Sequence, residues 1–402
     1  MPGISDLPII DYSDPDYQSE PFRWLAEKAR QFPMARSERG VEILEFQMCR
    51  RFLVDRSFGT DHGNLVEKME LPPGRALDFK RRMILTQNRG ETRKRLRGIL
   101  TNLIGPAYAR AMRRDISGVV SDLLKGLPDD VLDLKYGLTD LVPAGVYCTW
   151  VDTPLGDARF VADRSEDVLA IFRRDPDLTP SIVDAYDQLF GYVKAQLARR
   201  RENMGDDFLS RLIRVREAGN LSEDELEDFA VMLIEASTDN TSNQISIAVD
   251  RLTAMPDVWK EIGRDASLAS AAIRECMRLW PRSISTSRTA LTDTEIDGVS
   301  IPANTSVFAS FGAAHRQADK FSDPHRFDLT RPVQPPHLNF GGGAFSCLGQ
   351  FVATIEVEEA VSQLARRYPN LSMRRVEREF TAMFQTITVI EADLRGHAAA
   401  MV

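Results

Sequence analysis

His337-Leu-Asn-Phe340-Gly341-Gly-Gly343-Ala-Phe345-Ser-Cys347-Leu-Gly349 is a glycine-rich loop that carries a cysteine and runs directly into an amphipathic stretch. Three consecutive glycines let a backbone turn tightly and come close to a flat ligand. A cysteine just ahead of a helix sits at the positive end of the helix dipole, which favours the thiolate, the form that binds metal ions. A cysteine by itself is more often a small buried hydrophobe. The loop around Cys347 therefore carries the argument for a metal-bound sulfur. The other cysteines, Cys49, Cys148 and Cys276, are widely spaced and form no C-x-x-C pair. Neither a zinc knuckle nor a disulfide framework is suggested, and a reducing cytoplasm fits.

Outward from the loop, the pattern predicts a helix from about Leu348 to Tyr368, preceded by strand-like pieces, TEIDGVSIP and SVFASF, with turn residues between them. Further upstream nearly every long segment has helical spacing. Residues 20–32 read as an amphipathic helix, and MARSE and VEILEF as a hairpin. Ser222 and Glu225 form a capping box ahead of a periodic run that reaches Leu252. A helix of that length spans roughly 45 Å at ~1.5 Å per residue, enough to cross a domain. Its middle, Ser237-Thr238-Asp239-Asn240-Thr241-Ser242, is polar on all sides between apolar flanks, the pattern of a helix lining a polar pocket. A solvated face is the plainer alternative. No repeat, low-complexity tract or interdomain linker is present, so the expected architecture is mainly α with small β-sheets (α+β), a single domain over residues 1–402.

With 43% hydrophobic and 27% charged residues the composition is that of an ordinary globular protein. The net charge of −8 argues against nucleic acid as the main partner. The N-terminus lacks an apolar signal-like core, and no apolar run is long enough for a membrane span. The expectation is a cytoplasmic protein with neither nucleic acid nor membrane as partner.

Phe340-Gly341-x-Gly343-x-x-x-Cys347-x-Gly349 resembles the haem-binding signature FxxGxxxCxG of the cytochrome P450 family, with every fixed position filled. Glu275-Cys-Met-Arg278 looks like that family's ExxR, and Pro324-His-Arg326-Phe327 like the segment whose arginine completes a buried triad. The resemblance implies the P450 fold, a long central helix over a haem b, with Cys347 as axial ligand and Phe340, Gly341, Phe345 and Gly349 around it. Glu275 and Arg278 take structural roles, with Arg326 as third member and Arg331 as the fallback.

Ala236 to Thr241 aligns with the family's oxygen-activation segment. Asp239 keeps the acid, Asn240 stands where a threonine is usual, and Thr241 follows. An amide holds water but does not offer a rotating hydroxyl donor. Thr241 or Thr238 substitutes, Asn240 positions a water, or the reaction leans less on the relay. In the family's HxxxR, Arg95 fills the arginine position and Glu91 the histidine position, while Phe345 replaces a histidine before the cysteine. Arg288 and Arg95 are then the expected partners of the haem propionates.

Arg81, Arg82, Arg89, Arg93, Lys94, Arg95 and Arg97 concentrate positive charge, and the resemblance puts a ferredoxin-type donor near Arg93, Lys94 and Arg97. Val402 lies 55 residues past Cys347, so external electron donors, with no fused reductase, are expected. The implied function is monooxygenation of a small or medium organic substrate with dioxygen and two electrons. Atypical haem-thiolate chemistry (peroxide-driven turnover, coupling or rearrangement) and a non-catalytic haem sensor or carrier are the alternatives. Substrate contacts are expected from Leu233, Ile234, Ser237, Ile284, Ser285, Met383, Phe384 and the loop around residues 60–85.

Overall fold

The computed structural model describes residues 2–60, 70–82, 90–173 and 175–395. Arg89 and much of the 60–85 loop fall outside them. The longer helices, in chain order, are α1 (Pro21–Gln31), α2 (Phe46–Val54), α3 (Arg75–Arg82), α4 (Gly90–Leu103), α5 (Pro106–Lys125), α6 (Leu141–Trp150) and α7 (Ala158–Leu169). They continue with α8 (Thr179–Glu202), α9 (Phe208–Glu217), α10 (Glu223–Ser237), α11 (Asp239–Thr253), α12 (Pro256–Arg264), α13 (Ala269–Leu279) and α14 (Gln350–Arg367). The chain is predominantly helical, with small sheets formed mostly from its two ends, as the residue pattern predicts, and joined by one mid-chain strand at residues 131–133.

One sheet joins β1 (Met34–Ser37), β2 (Gly40–Ile43), β3 (Phe58–Gly59), β5 (Ser285–Ala290) and β8 (Ser306–Ser310) in the order β1-β2-β8-β5-β3. A second pairs β4 (Val131–Asp133) with β10 (Gln385–Asp393) and β10 with β9 (Met373–Phe380), and β6 (Thr294–Ile296) and β7 (Val299–Ile301) form a hairpin. The parallel pairing of β2 with β8 brings residues near position 42 beside residues near position 308, so the N-terminal segment completes a sheet begun after α13. No described helix is long and apolar enough to cross a membrane.

α14 runs through the middle of the molecule, packed against α5, α11, α12 and α13. Val357, Ala360, Val361, Leu364 and Ala365 are buried there with Ile245, Ile247, Val249 and Leu252 of α11. Each such Val, Leu or Ile contributes ~1.5–3 kcal/mol on burial. The helix carrying the cysteine loop is thus pinned to the central polar helix.

The long helix begins as expected. Ser222 Oγ accepts from the Glu225 amide at 3.1 Å and Glu225 Oε2 from the Ser222 amide at 2.9 Å, a capping box. It does not run unbroken to Leu252: α10 stops at Ser237 and α11 starts at Asp239. At the junction the Thr238 hydroxyl donates to the Ile234 carbonyl at 2.9 Å and meets Ser165 of α7. Hydroxyl back-bonding of this kind competes with the helical ladder and bends it. The polar run that the sequence places inside one helix is where the helix breaks.

Candidate functional site

The cysteine loop is shaped by glycines at positive φ, Gly341 at +68° and Gly343 at +62°, a region that other residues enter only with strain. Gly343 packs against the backbone of Leu53 and Val54 in α2, where an added Cβ would lie 3.0 Å from the Val54 Cα. The Cys347 amide donates to the Phe340 carbonyl at 2.8 Å, closing the loop on itself. Cys347 is exposed, whereas Cys49, Cys148 and Cys276 are buried. Burial of the surrounding wall raises the thiol's pKa, while the Gly349 and Gln350 amides and the Arg97 guanidinium pull it down. The sulfur thus sits in a recess with donors aimed at it, and a cation brought to it completes the conditions for a thiolate. A Cβ at Gly349 would lie 3.9 Å from Sγ, in ordinary van der Waals contact with the sulfur.

Behind the loop, Glu275 and Arg278 of α13 pair at 2.7 Å and are both almost fully buried. The third member is Arg331, whose Nε donates to Glu275 Oε1 at 2.8 Å. Arg326, the expected partner, has a side chain 70% exposed and lies 4.0 Å from Asp323. What residue 326 contributes is its carbonyl, which accepts from Arg278 and Arg331. Arg278 also donates to the His315 and Pro324 carbonyls, and Asn339 of the loop donates to the Met277 carbonyl at 2.7 Å. The triad holds backbone carbonyls of the segments that flank the cysteine loop.

Arg95 is a correction. It donates to Glu225 at 2.6 Å and to the Asn220 carbonyl, on the outer side of α4. Arg93 and Arg97, one turn apart, face the loop instead: Arg93 donates to the Ala344 carbonyl at 2.7 Å, and Arg97 to the Ser346 carbonyl and hydroxyl at 2.8 and 2.9 Å. Two positions along a helix rotate a side chain by about 200°, so the i,i+4 pair is right in spacing and displaced by two residues. The Phe345 ring lies under both the Arg93 and Arg288 guanidinium groups, at 4.0 and 4.7 Å. The docking cluster is correspondingly reduced. Arg93 and Arg97 point inward, and Arg82 is bound to Asp228. Lys94 is exposed and lies 3.6 Å from Glu91.

Arg93, Arg97 and Arg288 have no carboxylate partner among the described residues. Burial brings Arg93 and Arg288 down to about 10, and Arg93 adds to the depression at Arg288 by repulsion. Arg93 Nε and Nη1 are buried without acceptors. No group of three metal-ligating side chains occurs among the described residues. A flat metal complex with two carboxylates fits this combination: a lone sulfur ligand, glycines at close approach and buried cations lacking anions.

On the central helix Ala236 and Asn240 are exposed, and Met232, Glu235, Ser237 and Asp239 partly so, whereas Leu233, Ile234, Thr238 and all of residues 241–250 are buried. The open face is therefore the 232, 235/236, 239/240 stripe. Leu233 and Ile234, expected as substrate contacts, lie instead in the core beneath α7 and α8. Ile284 belongs to the N-terminal core with Tyr17, Phe22 and Leu25, and Ser285 is buried, its hydroxyl donating to the Ala382 carbonyl. Ser237 keeps its place beside the stripe, its hydroxyl buried and unpartnered. Met383 and Phe384 are half-buried, with Arg282 stacked over Phe384 at 4.7 Å.

Asp239 accepts from Arg282 at 2.8 Å and from Asn243 at 2.9 Å. Thr241 turns away from the stripe toward Glu356 of α14, a residue absent from the expected set. Burial pushes the Glu356 carboxyl up to about 8, with the Thr241 hydroxyl opposing through a hydrogen bond. A glutamate at the ninth position after Cys347, in a helix buried on most sides, was the available signal.

Comparison with known proteins gives one consistent result. The family description "Cytochrome P450" matches residues 264–389. Luteothin monooxygenase of Streptomyces thioluteus is 29% identical over 374 residues, 91% of this chain and 90% of that one. The 6-deoxyerythronolide B hydroxylase of Saccharopolyspora erythraea is 32% identical over 285 residues, 70% of each chain. The crystal structure of CalO2 superposes with a TM-score of 0.88 at 25% identity, covering 96% of this chain and 98% of that one.

Proposed function

Because the chain belongs to the cytochrome P450 family and is a monooxygenase of that type, we propose that Cys347 would supply the thiolate to a haem b whose carboxylates would be held by Arg93, Arg97 and Arg288. The buried cations without carboxylate partners beside an exposed, donor-flanked thiol are the observation that carries this reading. When bound, the haem supplies dioxygen binding and reduction, and the thiolate's electron donation favours O–O cleavage.

The chain's own residues orient substrate and handle protons. Phe345 fills the position between Arg93 and Arg288, excluding water from the charged pair. Asp239, fixed by Arg282 and Asn243, and Asn240 on the open stripe would hold water along that stripe. Glu356 keeps a proton on its carboxyl at neutral pH, and Thr241 is the hydroxyl beside it. Together they supply the hydroxyl and the proton store that Asn240 does not. Two electrons come from a ferredoxin-type donor that docks where Val54, Phe351 and Lys94 are exposed around the cysteine loop.

The substrate is a small to medium organic molecule. Turnover of a panel that includes 6-deoxyerythronolide B, under ¹⁸O₂ with a surrogate ferredoxin and its reductase, tests the activity. One labelled oxygen in the product is expected. Product formed equally well with peroxide alone, and dependent on no electron donor, contradicts it.

A further inference from the structure

The open stripe of the central helix carries two carboxylates, and each has a cation behind it from a different element. Asp239 has Arg282, from the loop after α13. Glu235 has Lys80 of α3, whose side chain is 0% exposed while that of Glu235 is 12% exposed. The Lys80 ammonium lies in an aromatic surround, 5.7 Å from the Phe79 ring, 5.8 Å from Phe172 and 5.4 Å from Tyr186. Lys80 and the Tyr186 hydroxyl, the latter at 3.2 Å, both donate to Glu235 Oε1. No donor among the described residues reaches Oε2.

The asymmetry is informative. A carboxylate held by a cation on one oxygen, and partly exposed with no described donor on the other, is oriented and still able to accept one more hydrogen bond. The ammonium behind it cancels its charge. The wall formed by Glu235 and Asp239 is therefore polar and close to electrically neutral. A charged head group entering there loses its hydration and meets no net opposite charge. An uncharged O–H or N–H loses less and finds an anionic acceptor already fixed in place.

Resting on the haem-thiolate reading of the cavity, we infer that Glu235 is a substrate-orienting acceptor and that the substrate is an uncharged molecule presenting a hydroxyl or N–H donor to the 235/236 position of the stripe. Lys80 and Tyr186 are positioning residues: they hold Glu235 and do not touch the substrate. Exposed Phe172 beside them covers the apolar part of the molecule that bears the donor.

Four ten-carbon probes test this on the haem-loaded protein by equilibrium dialysis: 1-decanol, decyl methyl ether, decanoate and decyltrimethylammonium. The alcohol is expected to bind about tenfold more tightly than the ether, the worth of one hydrogen bond to a charged acceptor, and more tightly than either ion. Lys80→Met/Glu235→Leu removes both charges together and strands neither; in it the alcohol and the ether bind alike. Lys80→Met alone leaves the wall negative, and decyltrimethylammonium becomes the preferred probe. Equal binding of alcohol and ether to the native protein, no binding of any probe, an alcohol preference that survives the double substitution, or an unchanged cation affinity in Lys80→Met each overturns the inference. The carbon monoxide spectrum of the same preparation separates the two layers. A missing thiolate band brings down the haem-thiolate reading itself, and an intact band without head-group discrimination brings down only the role of Glu235.

Discussion

The two sides of the candidate haem cavity are built in different ways. The cysteine side is a loop whose every fixed position answers a backbone or charge requirement: glycines at positive φ, a sulfur beneath amide donors, and carbonyls gathered by the Glu275–Arg278–Arg331 triad. The helix side is set by phase and by partners from remote segments: α3 supplies Lys80, the loop after α13 supplies Arg282, and α14 supplies Glu356. One side is local chemistry written in adjacent residues, and the other is an assembly. The cysteine side is therefore rigid and intolerant of change, while the helix side adapts to a substrate.

If that contrast is right, the largest effect lies in the triad. Glu275→Ala strands two buried guanidinium groups, and such a break costs about 3–5 kcal/mol. Urea unfolding is expected to show a loss of that size, with haem retention falling alongside it. A variant of native stability and full haem content sinks the structural role of Glu275.

The next effect is acid sensitivity on the same side. His337 is held down to about 4 by burial, with Arg274 repelling its charge, and His315 is also lowered. An unfolded histidine titrates near 6.5. The unfolded chain therefore binds protons first, so stability is full above about pH 6.5 and is lost as the pH falls toward 4. His337 alone accounts for about 3 kcal/mol over that window. Unfolding measured from pH 7 to pH 4 is expected to show this decline, and His337→Phe to flatten it. An unchanged slope in His337→Phe would show that the histidine does not report on the loop.

The smallest effect, and the one that sharpens the boundary, concerns Glu356, which sits on the cysteine-bearing helix but acts toward the other side. Its carboxyl is protonated below about pH 8 and loses the proton above that. Coupled turnover is expected to fall on the alkaline limb in the native protein. Glu356→Gln should lower turnover by roughly tenfold, with that limb removed and haem content unchanged. Haem loss in Glu356→Gln would instead assign the residue to the structural side.

This division also explains what could be read in advance. Gly341, Gly343 and Cys347 are legible because no other residue types meet the same local demand, and Glu275 and Arg278 because they sit one turn apart on a single helix. Arg331 is only the fallback to Arg326, since four residues of irregular loop separate the two candidate arginines and no periodicity chooses between them. Arg95 is the expected residue because it fills the arginine position of HxxxR; the same i,i+4 spacing also fits Arg93 and Arg97, and the face that meets the loop is fixed by the packing of α4 against Ala344 and Ser346. Leu233 and Ile234 were misassigned by a single residue of helical phase, about 100°. The break at Thr238 combines a local back-bond to Ile234 with a contact to Ser165, seventy-three positions away. Glu356 and Lys80 carry no motif at all; burial alone distinguishes them.

The most direct test of the central claim is the absorption spectrum of the dithionite-reduced, carbon monoxide-bound protein, recorded beside Cys347→Ala. The expected result is a strongly red-shifted Soret band in the native protein that is absent from the variant, the signature of iron held by a cysteine thiolate. A native band at the position of a histidine-ligated haem, or a red-shifted band that persists in Cys347→Ala, would contradict the assignment of Cys347.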